Sequence, residues 1–242
     1  MIEVRSSFYA SKMYAKRVSF LDLFKLVLYC GYLGDIRKVP FFFKKVKCQT
    51  CMTDLTLSLE DLMQKMKSNT RNEIRRAQKE GCSFEIVENV GAFVSFYNSF
   101  CKSKGLADYT SLSRMQRYEK VLITQAVQGG QTLAMHANVL DDEGKIAFLL
   151  YSCSQRLTEG VDKKVIGWGN RLLHYMDLKY LKQQGFKQYD WSGVSTDPQS
   201  ECYSIGQFKL SFGGTLSECW VLSTPLYRLG VRLRNFMMKL RK

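Results

Sequence analysis

The stretch that decides the fold runs from Val165 to Gly214: VIGWGNRLLHYMDLKYLKQQGFKQYDWSGVSTDPQSECYSIGQFKLSFGG. Gly167 and Gly169 stand directly before a helical pattern. Leu172, Leu173, Met176, Leu178, Tyr180 and Leu181 recur in it at helical spacing, and it stops at Gly185. FKQYDW then reads as a strand. A loop with Gly193, Pro198 and Gly206 follows, and QFKLSF reads as a second strand closed by Gly213 and Gly214. A glycine turn that feeds a helix N-terminus presents free backbone N–H groups to an anion. The next strand would bring the Asp190 carboxylate to the end of a sheet beside that turn.

Working outward, QTLAMHANVLD and KIAFLLYSCS read as a hairpin joined at Asp141-Asp142-Glu143-Gly144. Upstream of it, the pattern predicts helices over Ser111–Gln128 and Gly91–Lys104, and a strand at CSFEIVE. Residues 58–80 predict a helix pair capped by Ser58 and Asp61 and broken at Asn69-Thr70. Its outer face is basic, with Lys65, Lys67, Arg71, Arg75, Arg76 and Lys79. FFFKKVKCQ and MTDLTLSL read as strands, and residues 19–30 as an amphipathic helix started by Ser19 and Asp22. Residues 1–18 show little pattern. Downstream, TLSECWVLST reads as a strand and residues 226–242 as a basic amphipathic tail helix.

The 242 residues suffice for one large domain or two small ones. Thirty-six Lys and Arg against 22 Asp and Glu leave a net charge of +14. That surplus calls for anionic partners: phosphates, nucleic acid or an anionic membrane face. Of eight cysteines only Cys48 and Cys51 form a CxxC pair. With no second close pair, and extended patterns on both sides, the cysteines read as reduced thiols rather than as a zinc or redox site. No run reaches the ~20 apolar residues of a membrane span. A cytoplasmic location is expected. The tail over 226–242 reads either as a docked terminal helix or as a segment resting on the anionic inner face of the membrane.

Three places carry a resemblance to a known family. The first is RNEIRRAQKEG, from Arg71 to Gly81, an arginine-led helix before a strand. The second is Gly167-Trp168-Gly169-Asn170 with Leu172, Leu173 and Gly185-Phe186. The third is Tyr189-Asp190-Trp191-Ser192-Gly193 followed by Ile205-Gly206-Gln207-Phe208-Lys209 and Phe212-Gly213-Gly214. Together they resemble the GNAT acyltransferases, and within them the Fem-like branch that includes peptidoglycan bridge-forming aminoacyltransferases and surface-polysaccharide enzymes. The resemblance implies an α/β (α+β) fold with a mixed, mostly antiparallel sheet flanked by helices. It spans roughly residues 50–220. On it the whole chain is read as one GNAT-like domain. The acyl-donor half lies at about 111–225, and residues 1–110 either form a degenerate second module or cover the first.

The implied activity is transfer of an acyl group to an amine. The chain lacks the long charged helical-hairpin insertion of tRNA-using members, which favours acyl-CoA, with acetyl-CoA first, as the donor. The expected acceptor is a nucleotide- or lipid-linked amino sugar. Two alternatives are a Fem-like aminoacyltransferase using aminoacyl-tRNA and a non-catalytic protein that binds nucleic acid or a membrane surface. Asp190 is the candidate base or amine-orienting group, and Lys209 the candidate stabiliser of negative charge. Tyr189 and Tyr203 are candidates for a general acid or a sugar contact. Gly167, Trp168, Gly169, Asn170 and Arg171 would hold the donor. Arg71, Arg75, Ser192, Gly193 and Phe208 would bind the acceptor. His136 reads as a satisfied strand histidine, and His174 receives no role.

Overall fold

The computed structural model describes residues 1–6, 8–155 and 162–240. Residues 156–161 of the expected loop, and the terminal cations Arg241 and Lys242, lie outside the described residues. In chain order the chain forms β1 (Ile2–Arg5), β2 (Ala10–Met13), a 3-10 turn (Phe20–Phe24), β3 (Val27–Tyr32) and a second such turn (Ile36–Lys38). Then come β4 (Lys44–Asp54), α1 (Leu59–Lys65), α2 (Ser68–Lys79), β5 (Ser83–Ile86), α3 (Val90–Lys104) and α4 (Leu112–Met115). The hairpin strands follow as β6 (Val121–Gln128), β7 (Gln131–Asp141) and β8 (Ile146–Ser154). They lead to α5 (Lys163–Gln183), β9 (Gln188–Gly193), α6 (Tyr203–Leu210), β10 (Thr215–Ser223) and α7 (Pro225–Leu240). The chain divides into two compact units, Thr50–Leu216 and Met1–Gln49 with Ser217–Lys242. The expected boundary near residue 110 falls between α3 and α4, inside the larger unit.

In the larger unit the strands lie in the order β4, β9, β8, β7, β6, β5. The β8–β9 pair is parallel and the other pairs are antiparallel. This is the mixed, mostly antiparallel sheet the resemblance implies. Alternation along β6 and β7 sorts its side chains into two layers. Leu122 and Ala126 join the core under α2 and α5, with Leu172, Leu173, Leu178 and Trp191. Ile123, Met135 and Ala137 join Phe93, Tyr97 and Met115 under α3 and α4. Gly169 brings α5 onto β7, since a Cβ there would meet Leu133 Cδ1 at 2.6 Å. Gly213 has φ +78°, and a Cβ there would lie 2.6 Å from the Lys65 carbonyl. Both its backbone conformation and the close approach of α1 demand glycine.

In the smaller unit β2 pairs with β1 antiparallel and with β3 in parallel, and β10 pairs with β3 antiparallel. Its core holds Val27, Tyr29, Tyr32, Val39, Phe43 and Leu222. Asp22 is buried there, accepting from the Tyr29 hydroxyl and, at 2.5 Å, from Lys12 Nζ.

Several sequence expectations are corrected. Residues 19–30 form no amphipathic helix: a 3-10 turn runs into β3, where aromatic and β-branched residues pack on a sheet. Residues 1–18, which showed little pattern, supply two strands. The two strands expected over 41–59 are one, β4. Ser111 caps only the short α4, through Arg114 N, and Val121–Gln128 is a strand. A short apolar run is ambiguous between the two, and pairing on both sides decides it. QFKLSF is the last turn of α6 and the turn that follows it, and Phe208 and Phe212 both turn their rings onto His174. The helix break expected at Asn69-Thr70 falls instead just before Ser68. Finally, α5 begins at Lys163, so Gly167 and Gly169 lie inside it rather than in a turn before it.

Candidate active site

Strand β9 opens the site. Its parallel ladder with β8 pairs Ile146 with Gln188, Ala147 with Tyr189 and Phe148 with Asp190, and stops there, although β8 continues to Ser154. On the other side the register with β4 shifts between Thr50 and Met52. The sheet therefore parts between β8 and β9 beyond Asp190, while β9 keeps its pairing with β4 as far as Gly193. Ser192 takes φ +65° and its Oγ donates to Leu149 O at 2.5 Å. A non-glycine residue held in the left-handed region is the kind of strain that gathers at working sites. Asp190, 6% exposed, holds this turn: its Oδ1 accepts from Ser192 N at 2.7 Å and from Thr50 Oγ1.

Helix α6 delivers Lys209, whose Nζ donates to Gly193 O at 2.9 Å. Burial pulls its pKa below the ordinary 10.5, while Asp190, Cys51 and Cys202 draw it back upward. The fold thus brings together Asp190, Ser192, Gly193 and Lys209, four residues the sequence singled out. Phe208 sits beside them with the Arg171 guanidinium 5.1 Å from its ring centroid. Cys51 lies against Gly214, where a Cβ would meet its Sγ at 2.4 Å. Its pKa is pushed up to about 12, by burial first and then by Asp190. It is a packed thiol rather than a nucleophile.

The other candidates are placed elsewhere. Tyr203 opens α6, half-buried. Tyr189 is fully buried and its hydroxyl donates to Asn138 Oδ1 at 2.8 Å. Burial, then Asp177 and Asp190, hold its pKa well above 10.0. The backbone N–H groups of Gly167, Gly169 and Asn170 are spent in the ladder of α5. The side chains of Trp168 and Arg171 pack toward α2. Arg76 lies 5.2 Å over the Trp168 ring, and Arg171 pairs with Glu73 at 2.9 Å. Arg71 Nη1 donates to Gln64 O at 3.1 Å and to Met66 O, closing the C-terminal end of α1. With Arg75 it also lines a surface groove of about 490 Å³ beside Glu60, Met63 and Tyr175.

One cluster takes in the candidate Tyr189 and satisfies His136 as expected, but its other members carry no role in the sequence reading. Thr124, His136, Asn138, Asp177 and Tyr189 form a buried polar network between the sheet and α5. Asp177 accepts from Thr124 Oγ1 at 2.7 Å, from His136 Nδ1 at 2.7 Å and from Asn138 Nδ2 at 3.4 Å. His136 Nε2 lies 3.1 Å from Asn170 Oδ1. The signal was present in the sequence: His136 and Asn138 lie two apart on one face of an apolar strand, and Asp177 interrupts the apolar stripe of a helix. His136, His174 and Asp177 offer potential metal ligands within 4.8 Å of one another, but His136 already engages both ring nitrogens.

His174 stacks on His136 at 4.0 Å, within a box of Trp191, Phe208 and Phe212. Neither of its ring nitrogens has a hydrogen-bond partner among the described residues. Burial first, then His136, Lys209 and Arg171, hold its pKa well below 6.5. The folded state keeps it neutral while the unfolded chain protonates it below pH 6.5. This residue therefore removes about 1.4 kcal/mol of stability per pH unit as pH falls below that value. Urea unfolding at successive pH values should show a slope shallower by that amount in His174→Phe. Equal slopes in the two proteins would contradict it.

No protein-family model matches the chain. It is 37% identical over 67 residues to lipid II:glycine glycyltransferase of Staphylococcus aureus, a stretch covering 25% of this chain and 16% of that protein. The chain thus matches only a small part of that relative's length. Among solved structures it resembles FemX, with a TM-score of 0.62 at 15% identity, over 75% of this chain and 63% of that one. It also resembles the C-terminal domain of a putative lysylphosphatidylglycerol synthetase from Agrobacterium fabrum. There the TM-score is 0.58 at 12% identity, over 88% of this chain and 72% of that one. Sheet order, the parting of β8 and β9, and these likenesses agree: the chain has the fold of the Fem-like GNAT acyltransferases.

Proposed function

We propose that the chain is a Fem-type acyltransferase that moves an aminoacyl group from aminoacyl-tRNA to an amine of a lipid-linked cell-wall precursor. The observation that carries the chemistry is the juxtaposition of the Lys209 ammonium with the parted strands at Asp190–Gly193. An amine attacking the aminoacyl ester forms a C–N bond and puts negative charge on the carbonyl oxygen. In this reading Lys209 stabilises that charge. As the C–O bond to the ribose breaks, Lys209 gives the departing oxygen a proton, for which an ammonium with a lowered pKa is a better donor, and the proton shed by the attacking amine restores the ammonium. Asp190 keeps the lysine charged and shapes the Ser192 turn.

The name of the Staphylococcus relative supports a lipid-linked acceptor and an amino-acid cargo. The net charge of +14 suits an RNA backbone. The acyl-CoA donor is the weaker reading. A CoA pyrophosphate would seek the N-terminus of α5, and there the Asp162 carboxylate already accepts from Lys164 N at 2.8 Å. The test offers the protein two donor sets. One is labelled aminoacyl-tRNA, glycyl-tRNA first, with lipid II. The other is labelled acetyl-CoA with nucleotide-linked amino sugars. Ribonuclease-sensitive transfer to the lipid-linked acceptor is expected. Transfer from acetyl-CoA alone would replace this reading with amino-sugar acylation.

A further inference from the structure

Among the described residues, helix α7 leaves its apolar face exposed. Its start is anchored within the smaller unit: it packs on β3 and on the 3-10 turn over Phe20–Phe24. Gly230 allows the close approach, since a Cβ there would meet Leu26 Cδ2 at 2.6 Å and Phe8 Cζ at 2.9 Å. From position 232 to 240 every residue is exposed. At 3.6 residues per turn, Leu226, Leu229, Leu233, Phe236, Met237 and Leu240 fall within an arc of about 100°. Arg232 and Lys239 border that stripe on one side and Arg234 on the other. The turn that α7 packs against adds Phe20, Leu21 and Phe24, each about two-thirds exposed. On its last turns the Arg234 guanidinium lies 5.8 Å from the Phe8 ring centroid, but the apolar stripe stays exposed, and short isolated helices are marginal in water.

We infer that α7 docks on an anionic phospholipid surface, apolar stripe inward and cations at the headgroups. Two features must be satisfied together. The helix carries Arg228, Arg232, Arg234 and Lys239 and no carboxylate. A second copy would cover the stripe but bring like charges together. Nucleic acid would neutralise the cations and leave the stripe in water. An anionic bilayer meets both needs, and flanking Lys and Arg can keep their heads at the interface while their stems lie along the apolar zone. Among the described residues no helix is long and apolar enough to cross a membrane, so the contact lies in the interface plane. The inference does not depend on the donor or acceptor proposed above.

The full chain should co-float with phosphatidylcholine vesicles containing about 30% phosphatidylglycerol in ~0.1 M salt, where exposed charges are only partly screened. Its partition should fall at least about tenfold on vesicles of phosphatidylcholine alone, and equally in the double variant Leu233→Glu with Phe236→Glu. Arg232→Gln with Arg234→Gln should weaken binding to anionic vesicles selectively. Both variants change only exposed side chains, and thermal unfolding checks that they fold as the parent does. The inference fails if the chain does not float, if it floats equally with neutral vesicles, or if the Leu233/Phe236 variant binds unchanged. It also fails if sedimentation velocity shows a dimer that this variant abolishes, since α7 would then face a second copy.

Discussion

Lys209→Ala should lower kcat for the proposed transfer about 100- to 1000-fold with little effect on stability. That is the usual cost of removing one group aimed at charge that develops in the transition state. The stability argument rests on two opposed effects. The substitution leaves Gly193 O without its 2.9 Å donor, which costs about 1 kcal/mol. It also relieves the cost of holding an ammonium in a half-buried site, where burial already depresses its pKa. Lys209→Met keeps the stem and should behave like alanine in rate. Asp190→Asn separates charge from position. Asp190 draws the Lys209 pKa upward, so losing that attraction lowers it further. The lysine is needed as the cation, so activity is lost as pH rises through its folded pKa. The alkaline limb of kcat/KM should therefore move to lower pH in Asp190→Asn. A near-normal rate in Lys209→Ala would remove this residue from the chemistry. An unmoved limb in Asp190→Asn would break the link between the two side chains.

The residues of this site were legible in the sequence, while the local structure that presents them was less so. Asp190 stands in a strand legible in FKQYDW, because aromatic residues and the bounding glycines mark it, while Ser192 and Gly193, read as the start of the loop, complete that strand. Lys209 was read in a strand and lies in a helix. Over six residues QFKLSF fits either period, and the ring contacts of Phe208 and Phe212 with His174 and Trp191 decide it. The same ambiguity turned residues 121–128 into an expected helix. Glycine before an apolar run signals a helix start, which is why Gly167 and Gly169 read as phosphate-binding glycines. At Gly169 the glycine instead answers to the Leu133 side chain, a tertiary contact that no local pattern reveals. Arg71 was read as a ligand for phosphate, and its guanidinium closes the end of α1. The strands of residues 1–18 are four residues each, too short to show a period, and their pairing supplies what the sequence pattern lacked.

Asp177→Ala should produce the largest loss of stability, about 3–5 kcal/mol, the cost of taking the shared acceptor from three buried donors. The carboxylate is fully buried and serves three donors from β6 and β7. Without it, the His136 N–H, Thr124 and Asn138 each lose an acceptor in a layer closed to solvent. The damage should also reach β9, because Asn138 accepts from Tyr189, the neighbour of Asp190. Loss of Asp177 thus loosens the strand that shapes the site, and activity should fall together with stability. For a unit of this size the midpoint of thermal unfolding should drop by roughly 10 °C. Asp177→Asn keeps an acceptor oxygen and the shape, and should cost only about 1–3 kcal/mol, for the charge-assisted bond to His136. The decisive comparison is Asp177→Leu with His136→Leu. Replacing both partners by apolar residues of similar bulk removes the unpaired imidazole N–H along with the carboxylate, and leaves only Thr124 and Asn138 short of an acceptor. That double variant should be more stable than Asp177→Ala despite carrying one more substitution. If urea unfolding instead finds the double variant worse by the sum of the two single losses, Asp177 and His136 do not act as a pair. The network would then hold β9 through Thr124 and Asn138 alone.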